Sequence, residues 1–264
     1  MIDKAKGGRI PGRERYIGFL LKMEYLDFLK TKIQIAVKSG FTVDRSELNK
    51  ALKPHQQDAV AWALRGGRRA LFESFGLGKT VQEIEFCHQV IKRKGGKALI
   101  VLPLGVKQEF TQDAVNVLGY EKPRYVKNQQ EAEEAGERIL LTNYERVRDG
   151  DIEPSYFTAA SLDEASVLRS FGSKTYQTFL DKFKGVPYKL AATATPSPNR
   201  YKELIHYAGY LEVMDTGQAL TRFFQRDSTK ANNLTLYKNQ EDEFWLWVSS
   251  WALFVTKPSD IAPE

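Results

Sequence analysis

Residues 72–80 read FESFGLGKT and contain the residue types of a phosphate-binding loop. In residues 76–80, GLGKT, the backbone N–H groups can face phosphate oxygens at the start of a helix. Lys79 can reach the β- and γ-phosphates of a nucleotide, and the hydroxyl of Thr80 can ligate Mg²⁺. A strand before the segment and a helix after it give the context that such a loop needs. The segment therefore predicts a nucleotide site.

The first position of this phosphate loop (residues 73–80) departs from the common pattern. A glycine is usual five residues before Gly78, and this chain has Glu73 there. A side chain at the start of the loop can point away from the phosphates, so the change costs less than losing Gly78 or Lys79. The alternative interpretation is an ordinary strand–turn–helix connection that carries Lys and Thr by chance.

A second acidic motif, SLDEAS at residues 161–166, follows another predicted strand. A carboxylate at the carboxyl end of a strand beside the phosphate-loop strand is where a metal-holding acid must sit. Asp163 could hold Mg²⁺, directly or through water, and Glu164 could orient and polarise an attacking water. The alternative is a helix N-terminal cap formed by DEAS. The loop and the acids, each after a strand and in this order, favour the nucleotide interpretation.

The elements that must position these residues follow an alternating pattern of short apolar strands and helices. This alternation predicts an α/β fold with a mainly parallel sheet covered on both faces. Right-handed crossovers then place the carboxyl ends of the strands at one edge of the sheet. The predicted strands read RALFES, ALIVLP, RYVK, RILLTNY, AASLDEA and YKLAATAT, and the predicted helices cover residues 79–94, 105–118, 173–183 and 201–211.

The two ends of the chain predict further helices. Apolar periodicity over residues 17–39 predicts a helix that ends at Gly40, and residues 44–67 predict one capped helix closed by two glycines. Near the other end, EDEFWLWVSSWALFV (residues 241–255) predicts a final helix whose apolar stripe is core. An aromatic platform for stacking bases is the alternative for that stripe. The tail after it predicts no further element.

Composition narrows the class of protein. The 264 residues are 42% hydrophobic and 27% charged, which is an ordinary globular balance. The net charge of +6 favours a polyanionic partner such as nucleic acid. The single cysteine, Cys87, excludes an intrachain disulfide and fits a reducing compartment, and we interpret it as core packing. Apolar runs stay below the ~18 residues of a membrane span, so we expect a cytoplasmic protein without a membrane partner. The three histidines lack metal-ligand spacing.

Several motifs together resemble superfamily-2 helicases, and most closely the SWI/SNF-like DNA translocases. GLGKT, DEAS at 163–166 and TATP at 193–196 resemble motifs I, II and III of that family. LKPHQQDAVAW resembles its adenine-binding stretch, with Gln56 at the glutamine position and Trp62 at the tryptophan position. The match covers about residues 50–212. Parts of it are similar to helicases encoded by bacteriophages and prophages.

The resemblance implies a RecA-like lobe that uses ATP and Mg²⁺, and it implies roles for individual residues. Lys79, Asp163 and Glu164 would serve catalysis, with Thr80 and Asp163 on the metal. Thr193 and Thr195 would couple the nucleotide state to DNA contacts. The cofactor-binding residues would be Gln56, Gly76, Gly78, Lys79 and Thr80.

The resemblance also implies contacts to DNA, double-stranded and without sequence preference. Two loops would contact the sugar-phosphate backbone. Residues 222–233, RFFQRDSTKANN, are basic and polar and would either contact DNA or cap the lobe. The loops resemble motifs Ia and Ib and supply Pro103, Leu104, Gly105 and Lys107 from the first, and Thr142, Asn143 and Tyr144 from the second.

Departures from the family pattern leave alternatives open. Ser166 replaces the residue that usually links motifs II and III, and ESF stands where family members often have DEM.

Motifs IV to VI of a second RecA-like lobe, with their arginine fingers, are missing. The chain therefore resembles an N-terminal motor lobe that needs a second lobe in cis or in trans. A non-catalytic module that binds nucleotide and DNA is the main alternative. A third interpretation is a P-loop kinase that acts on a small substrate. It is disfavoured because it does not explain the stretch around Gln56 or TATP.

The resemblance and the composition together predict four regions. Residues 1–16 are basic and poor in apolar residues, which predicts disorder. Residues 17–45 would form a helical extension and residues 46–256 the RecA-like ATP-binding lobe. Residues 257–264 would be a linker toward the second lobe.

Overall fold

The strands of this protein are short and mostly buried. The computed structural model describes residues 35–170, 172–197, 200–226 and 234–261, and from Ala36 onward they belong to one compact unit. The prediction for residues 1–16 and most of the helix predicted over residues 17–39 lie outside the described residues. Residues 35–39 are described and are not helical, so the prediction that this helix continues to Gly40 is wrong. The strands are β1 (Arg68–Glu73), β2 (Ala98–Leu102), β3 (Arg124–Tyr125), β4 (Ile139–Asn143), β5 (Ala159–Leu162), β6 (Tyr188–Thr193), β7 (Phe224–Arg226), β8 (Leu234–Leu236) and β9 (Ala252–Val255).

Seven of these strands form one sheet in the order β3-β4-β2-β5-β6-β1-β9. Every pairing in it is parallel, while β7 and β8 form a separate antiparallel pair. Flanking helices complete the RecA-like α/β architecture predicted from the sequence. Because parallel strands share one direction, the loops after β1, β2, β4, β5 and β6 all leave the sheet at its carboxyl edge.

One expectation about this sheet is wrong. The strand before Asp163, β5, does not lie beside the phosphate-loop strand β1, because β6 lies between them. The chain leaving β1 crosses over the sheet and enters it again at β2, three positions away. β5 and β6 later fill the gap. Alternation of strands and helices predicts a parallel sheet but carries no information about this order.

Nine helices are found in the part of the chain that the structure describes. They are α1 (Pro54–Gly66), α2 (Lys79–Lys94), α3 (Lys107–Gln112), α4 (Gln129–Glu134), α5 (Tyr144–Arg148), α6 (Lys174–Lys182), α7 (Leu204–Tyr210), α8 (Thr216–Phe223) and α9 (Glu241–Ser249). The helix predicted over residues 79–94 is confirmed at both ends as α2. The helix predicted over residues 105–118 is divided, since a π-helical turn, Asp113–Val117, continues α3.

Alternate residues of β1 pack into two cores of different character. Leu71 joins a mainly aliphatic core with residues of α1 and α2. Phe72 points to the other face, where its ring lies 5.0 Å from the ring of Tyr207 and 6.2 Å from that of Trp251. The strand is therefore buried on both faces, as expected for a parallel sheet, and the loop that follows it starts from a fixed support.

The helix predicted over residues 44–67 begins only at Pro54. Proline at the first helical position holds Lys53 in an extended conformation, with φ −68° and ψ 158°. Residues upstream form only a short 3₁₀ turn, Arg45–Glu47. The glycine stop is correct, since Gly67 follows the helix with φ 78°.

The final helix predicted over residues 241–255 is also wrong in its second half. Helix α9 ends at Ser249, and residues 252–255 form β9, which pairs with β1 in parallel. Backbone groups of β1 that would otherwise be open at the sheet edge are paired by this strand, and Ser74 N–H donates to the carbonyl of Val255 at 2.9 Å. The apolar stripe is nevertheless buried, as predicted. A 3₁₀ turn, Pro258–Asp260, follows where no element was expected.

A buried lysine lies at the opposite, amino edge of the sheet. The ammonium of Lys189 in β6 donates to Glu212 Oε2 at 2.8 Å and to the carbonyl of Tyr210 at 3.0 Å. Burial lowers the pKa of Lys189 to about 8, even though its bond to Glu212 opposes that effect. Arg68 also pairs with Glu212 at 2.8 Å. The carboxylate of Glu212 therefore balances the charges of two cations. The backbone of Glu212 is left-handed, with a φ of 55°.

Replacing Glu212 with glutamine should destabilise the fold. The buried ammonium of Lys189 would lose its anionic partner, which we expect to cost roughly 2–3 kcal/mol, below the value for a fully buried pair because Glu212 keeps contact with water. The measurement is urea denaturation at pH 7. Glu153→Gln is the matched control, since it removes an exposed pair with Lys182 and should cost about 0–1 kcal/mol. Equal midpoints for both variants would contradict the prediction.

Candidate nucleotide-binding site

The phosphate loop turns back on itself through two glycines. Gly76 and Gly78 have φ values of 81° and 79°, a left-handed conformation that side chains disfavour. Gly78 is the residue before α2, so the loop leads directly into the helix N-terminus. A Cβ atom on Gly78 would lie 2.3 Å from the side-chain nitrogen of Gln56. Glycine at this position is therefore required by the backbone conformation and by the close approach of Gln56.

The ammonium of Lys79 points back along the loop. It donates to the backbone carbonyls of Glu73 at 3.1 Å and Ser74 at 3.4 Å, and it lies 5.6 Å from the ring centre of Phe75. These carbonyls hold the cation inside the curve of the loop. Phosphate oxygens entering there would meet a charge that is already in place.

Gln56, predicted to bind adenine, is tied to the phosphate loop. Its amide nitrogen donates to the carbonyl of Leu77 at 2.9 Å, and its amide oxygen accepts from Lys53 N–H at 2.9 Å. Both ends of the amide thus bond to backbone on the side of the loop that faces α1. The contact with adenine stays a prediction, and the structure adds a second role, which is support of the loop between its two glycines.

The two acids after β5 lie in different environments. Asp163 is 8% exposed, and burial together with the neighbouring charge of Glu164 raises its pKa to about 6. Glu164 is only half-buried and holds a left-handed backbone, with φ 49° and ψ 47°. Non-glycine residues in that conformation are uncommon and cluster at functional sites. The backbone here fixes the direction in which Glu164 presents its carboxylate.

Motifs II and III are joined directly at this edge. The hydroxyl of Thr193, at the end of β6, donates to Glu164 Oε2 at 3.2 Å. Thr195 N–H in turn donates to the hydroxyl of Thr193 at 3.1 Å. Ser166, whose replacement raised doubt about this link, donates instead to the carbonyl of Glu164 at 3.4 Å. Glu164 itself therefore connects the two loops.

Two polar residues of α2 near this site, Gln82 and Glu83, were missed in the sequence. Glu83 in α2 is fully buried, and its Oε2 accepts from the hydroxyl of Ser161 at 2.6 Å. Burial and the charge of Asp163 raise the pKa of Glu83 well above its ordinary value. Gln82 donates to Glu73 at 2.8 Å. The signal in the sequence was VQEIEF, where polar residues stand among apolar ones. Because α2 is buried on most sides, an acid at such a position is desolvated.

The first predicted nucleic-acid loop is accessible. Leu104 is 57% exposed, Gly105 is exposed, and Pro103 and Lys107 are half-buried. The ammonium of Lys107 lies 4.9 Å from the ring centre of Tyr125 in β3. This loop therefore presents both an apolar tip and a cation at the carboxyl edge.

The second predicted loop is packed inside the domain. Thr142 is buried and donates to a backbone carbonyl at 3.0 Å, and Asn143 Oδ1 accepts from the hydroxyl of Tyr125 at 2.7 Å. The hydroxyl of Tyr144 donates to the carbonyl of Asp163. These side chains hold the loop against β3 and motif II. Any contact from here to nucleic acid depends on backbone groups and on the exposed residues that follow.

Three further features of the described ranges concern metal ligands, the cysteine and membrane helices. No group of three histidine, cysteine, aspartate or glutamate side chains there could hold a metal ion. Cys87 is buried and free, in agreement with its predicted place in the core. The helices that the structure describes include none long and apolar enough to cross a membrane.

Comparison with known families gives a direct match. The sequence profile of the SNF2-related domain matches residues 55–242, which is more than half of the chain and includes the phosphate loop and the acids after β5. The chain belongs to the SNF2-related domain family. A search of curated proteins finds no match. Membership of the family accounts for motifs I to III in one domain.

Solved structures show the same fold for this SNF2-related domain. It is similar to the Sulfolobus solfataricus SWI2/SNF2 ATPase core in complex with dsDNA, with a TM-score of 0.63 and 19% identity over 82% of this chain and 47% of the other. The UvsW helicase from bacteriophage T4 is also similar, with a TM-score of 0.51 and 14% identity over 72% and 65%. The SNF2-related domain thus spans about half the length of the SWI2/SNF2 core.

Proposed function

We propose that this SNF2-related domain is the ATP-binding N-terminal motor lobe of a DNA helicase or translocase. The observation that carries the proposal is the meeting of three loops at one sheet edge. Lys79 follows β1, Asp163 and Glu164 follow β5, and Thr193 at the end of β6 bonds to Glu164. A phosphate cradle, an acid pair and a link from the acid pair to the loop after β6 are the parts that a motor needs on one side of its nucleotide.

Within this proposal, the phosphate loop binds the nucleotide. Lys79 would exchange its two carbonyl partners for β- and γ-phosphate oxygens, and the N–H groups of residues 76–80 would donate to the same phosphates. The Thr80 hydroxyl and the Asp163 carboxylate are oxygen ligands of the kind Mg²⁺ prefers, so the residues fit this ion. Mg²⁺, when bound, neutralises charge on the phosphates. Gln56 would bind the adenine edge while it supports the loop.

Glu164 would serve the chemical step. Its left-handed backbone and its bond from Thr193 fix the carboxylate, which would orient a water for attack. A change at the γ-phosphate would then reach Thr193 and Thr195 through one hydrogen-bonded chain. Thr195 is exposed, so movement there could be passed to a bound nucleic acid or to a second lobe.

DNA is the proposed partner. Lys107 and Leu104 are accessible at the same edge, and the net charge of +6 favours a polyanion. Backbone contacts of this kind read no sequence, so we propose double-stranded DNA without sequence preference. The structure of the S. solfataricus core contains dsDNA, which supports the same choice. The buried thiol and the absence of a described membrane span are compatible with the cytoplasm that we propose as its location.

A non-catalytic module that binds nucleotide and DNA is the second candidate. It is favoured by one observation, which is that Lys79, Asp163 and Glu164 all follow strands at a single edge of the sheet and so lie on one side of the expected nucleotide. Both candidates require the nucleotide site. They differ in turnover, which depends on groups from a second lobe.

Lys79→Ala tests the nucleotide site that both candidates share. Loss of charged hydrogen bonds to phosphate should weaken Mg-ATP binding roughly 10- to 100-fold. The measurement is isothermal titration calorimetry, with circular dichroism to show that the fold is kept. Lys92→Ala is the control, because Lys92 is exposed near the far end of the same helix. A folded Lys79 variant that binds ATP as well as the wild type would exclude the phosphate-loop assignment.

A further inference from the structure

A groove at the edge of the sheet extends outward from the first predicted nucleic-acid loop. It has a volume of about 710 Å³ and lies between α3 and the outermost strand β3. We call it the edge groove. Its cationic and aromatic lining residues are Lys107, Lys122, Arg124 and Tyr125. None of the motifs found in the sequence includes residues 121–125.

Tyr125 joins this groove to both predicted loops. Its ring lies under the ammonium of Lys107, and its hydroxyl donates to Asn143 at 2.7 Å. Arg146 on α5, which pairs with Asp151 at 2.8 Å, also has its charge near Tyr125. The loop after β2 and the loop after β4 are thus held in one arrangement by a residue of the edge strand. Two cations flank that residue at the carboxyl edge.

The acidic residues of the groove leave its cations accessible. Glu121 and Glu137 also line it. Arg124 approaches Glu137 at 3.7 Å, and both side chains are solvent-exposed, at 42% and 31%. An exposed pair at that distance is weak, so a phosphate can compete for the guanidinium. Lys122 is exposed and has no ion pair within the described residues.

We propose that one DNA strand continues from the loop after β2 into the edge groove, with its phosphates on Lys107, Lys122 and Arg124. This inference rests on the proposed function, and it extends the DNA path beyond the motif loops. A wide, open groove with long cationic side chains suits a flexible sugar-phosphate chain. Tyr125 would act as a positioning residue that keeps Lys107 and the loop after β4 aligned with the groove.

The test compares the salt dependence of DNA binding. The groove variant is Lys122→Ala with Arg124→Ala, and the probe is a fluorescent random-sequence duplex titrated with residues 1–264 at several salt concentrations. Each lost phosphate contact lowers the slope of log K against log salt by about 1, so the double variant should lose about 2. Binding should weaken equally on scrambled duplexes, since backbone contacts carry no sequence information.

Two further variants separate the possible failures. Lys94→Ala with Lys184→Ala removes the same charge from exposed positions at the amino edge, and its slope should equal that of the wild type. Lys107→Ala tests the motif loop alone. If Lys107→Ala lowers the slope and the groove variant does not, the groove inference is wrong while the proposed function stands. Wild-type protein that binds no duplex would overturn both. A groove variant that matches the amino-edge control would also overturn the inference.

Discussion

A polypeptide of residues 1–264 should hydrolyse ATP barely above background, with or without DNA. Fusing a second RecA-like lobe after it should raise DNA-stimulated turnover by roughly 10³–10⁵-fold, the range measured for arginine fingers. The physical reason is the one-sided geometry of the site. The phosphate loop, Asp163 and Glu164 all rise from one sheet edge, so charge on the far side of the γ-phosphate must come from elsewhere.

The measurement is steady-state phosphate release with single-stranded and double-stranded DNA. A fusion whose second-lobe arginine fingers are replaced by alanine is the matched control, because it keeps the interface and loses the charge. Robust turnover by residues 1–264 as a monomer would refute the proposal that this domain is one lobe of a motor that needs a second lobe. Size-exclusion chromatography would show whether a dimer supplies the finger in trans.

Glu164→Gln should separate nucleotide binding from hydrolysis. In a protein that carries both lobes, turnover should fall roughly 10²–10⁴-fold, the usual contribution of a positioned acid or base. Affinity for Mg-ATP should be unchanged. The glutamine keeps an oxygen that can accept the bond from Thr193, so the link between the two loops survives while the carboxylate that activates water is lost.

Glu134→Gln is the control for this variant, since Glu134 is exposed on α4 and belongs to none of the predicted motifs. Phosphate release and calorimetric ATP binding are measured on the same preparations. Unchanged turnover in the Glu164 variant would remove this residue from the chemical step. A parallel loss of binding and turnover would assign it to nucleotide affinity instead.

The sequence predicted the phosphate loop and α2 because their signals are local. Eight residues of sequence specify the whole loop, since they contain both glycines with positive φ, the lysine and the start of the helix. The position of β6 between β5 and β1 could not be predicted in this way, because it depends on contacts between segments far apart in the chain. The same holds for β9, whose apolar residues fit a helix as well as a strand until the open edge of β1 is known.

Within the site, side-chain surroundings were harder to predict than motif positions. Thr142 and Tyr144 lie in a segment that resembles a family motif, yet their side chains bond to neighbouring segments inside the domain. Glu83 carries no motif, yet it lies against the acid pair. In both cases the decisive fact is which segment packs opposite, and that fact arises only when the sheet is assembled.

The pairing of β9 with β1 has a mechanical consequence. When one of two parallel strands is pulled along its axis, the hydrogen bonds between the strands are all loaded in shear at the same time, and together they resist the force. The last bond of this row joins Val255 to Ser74 in the phosphate loop, two residues before Gly76. Tension applied to the segment beyond Val255 is thus transmitted to the backbone that surrounds Lys79. Under the proposed function, nucleotide affinity and force on the segment after Val255 would therefore be coupled through Ser74.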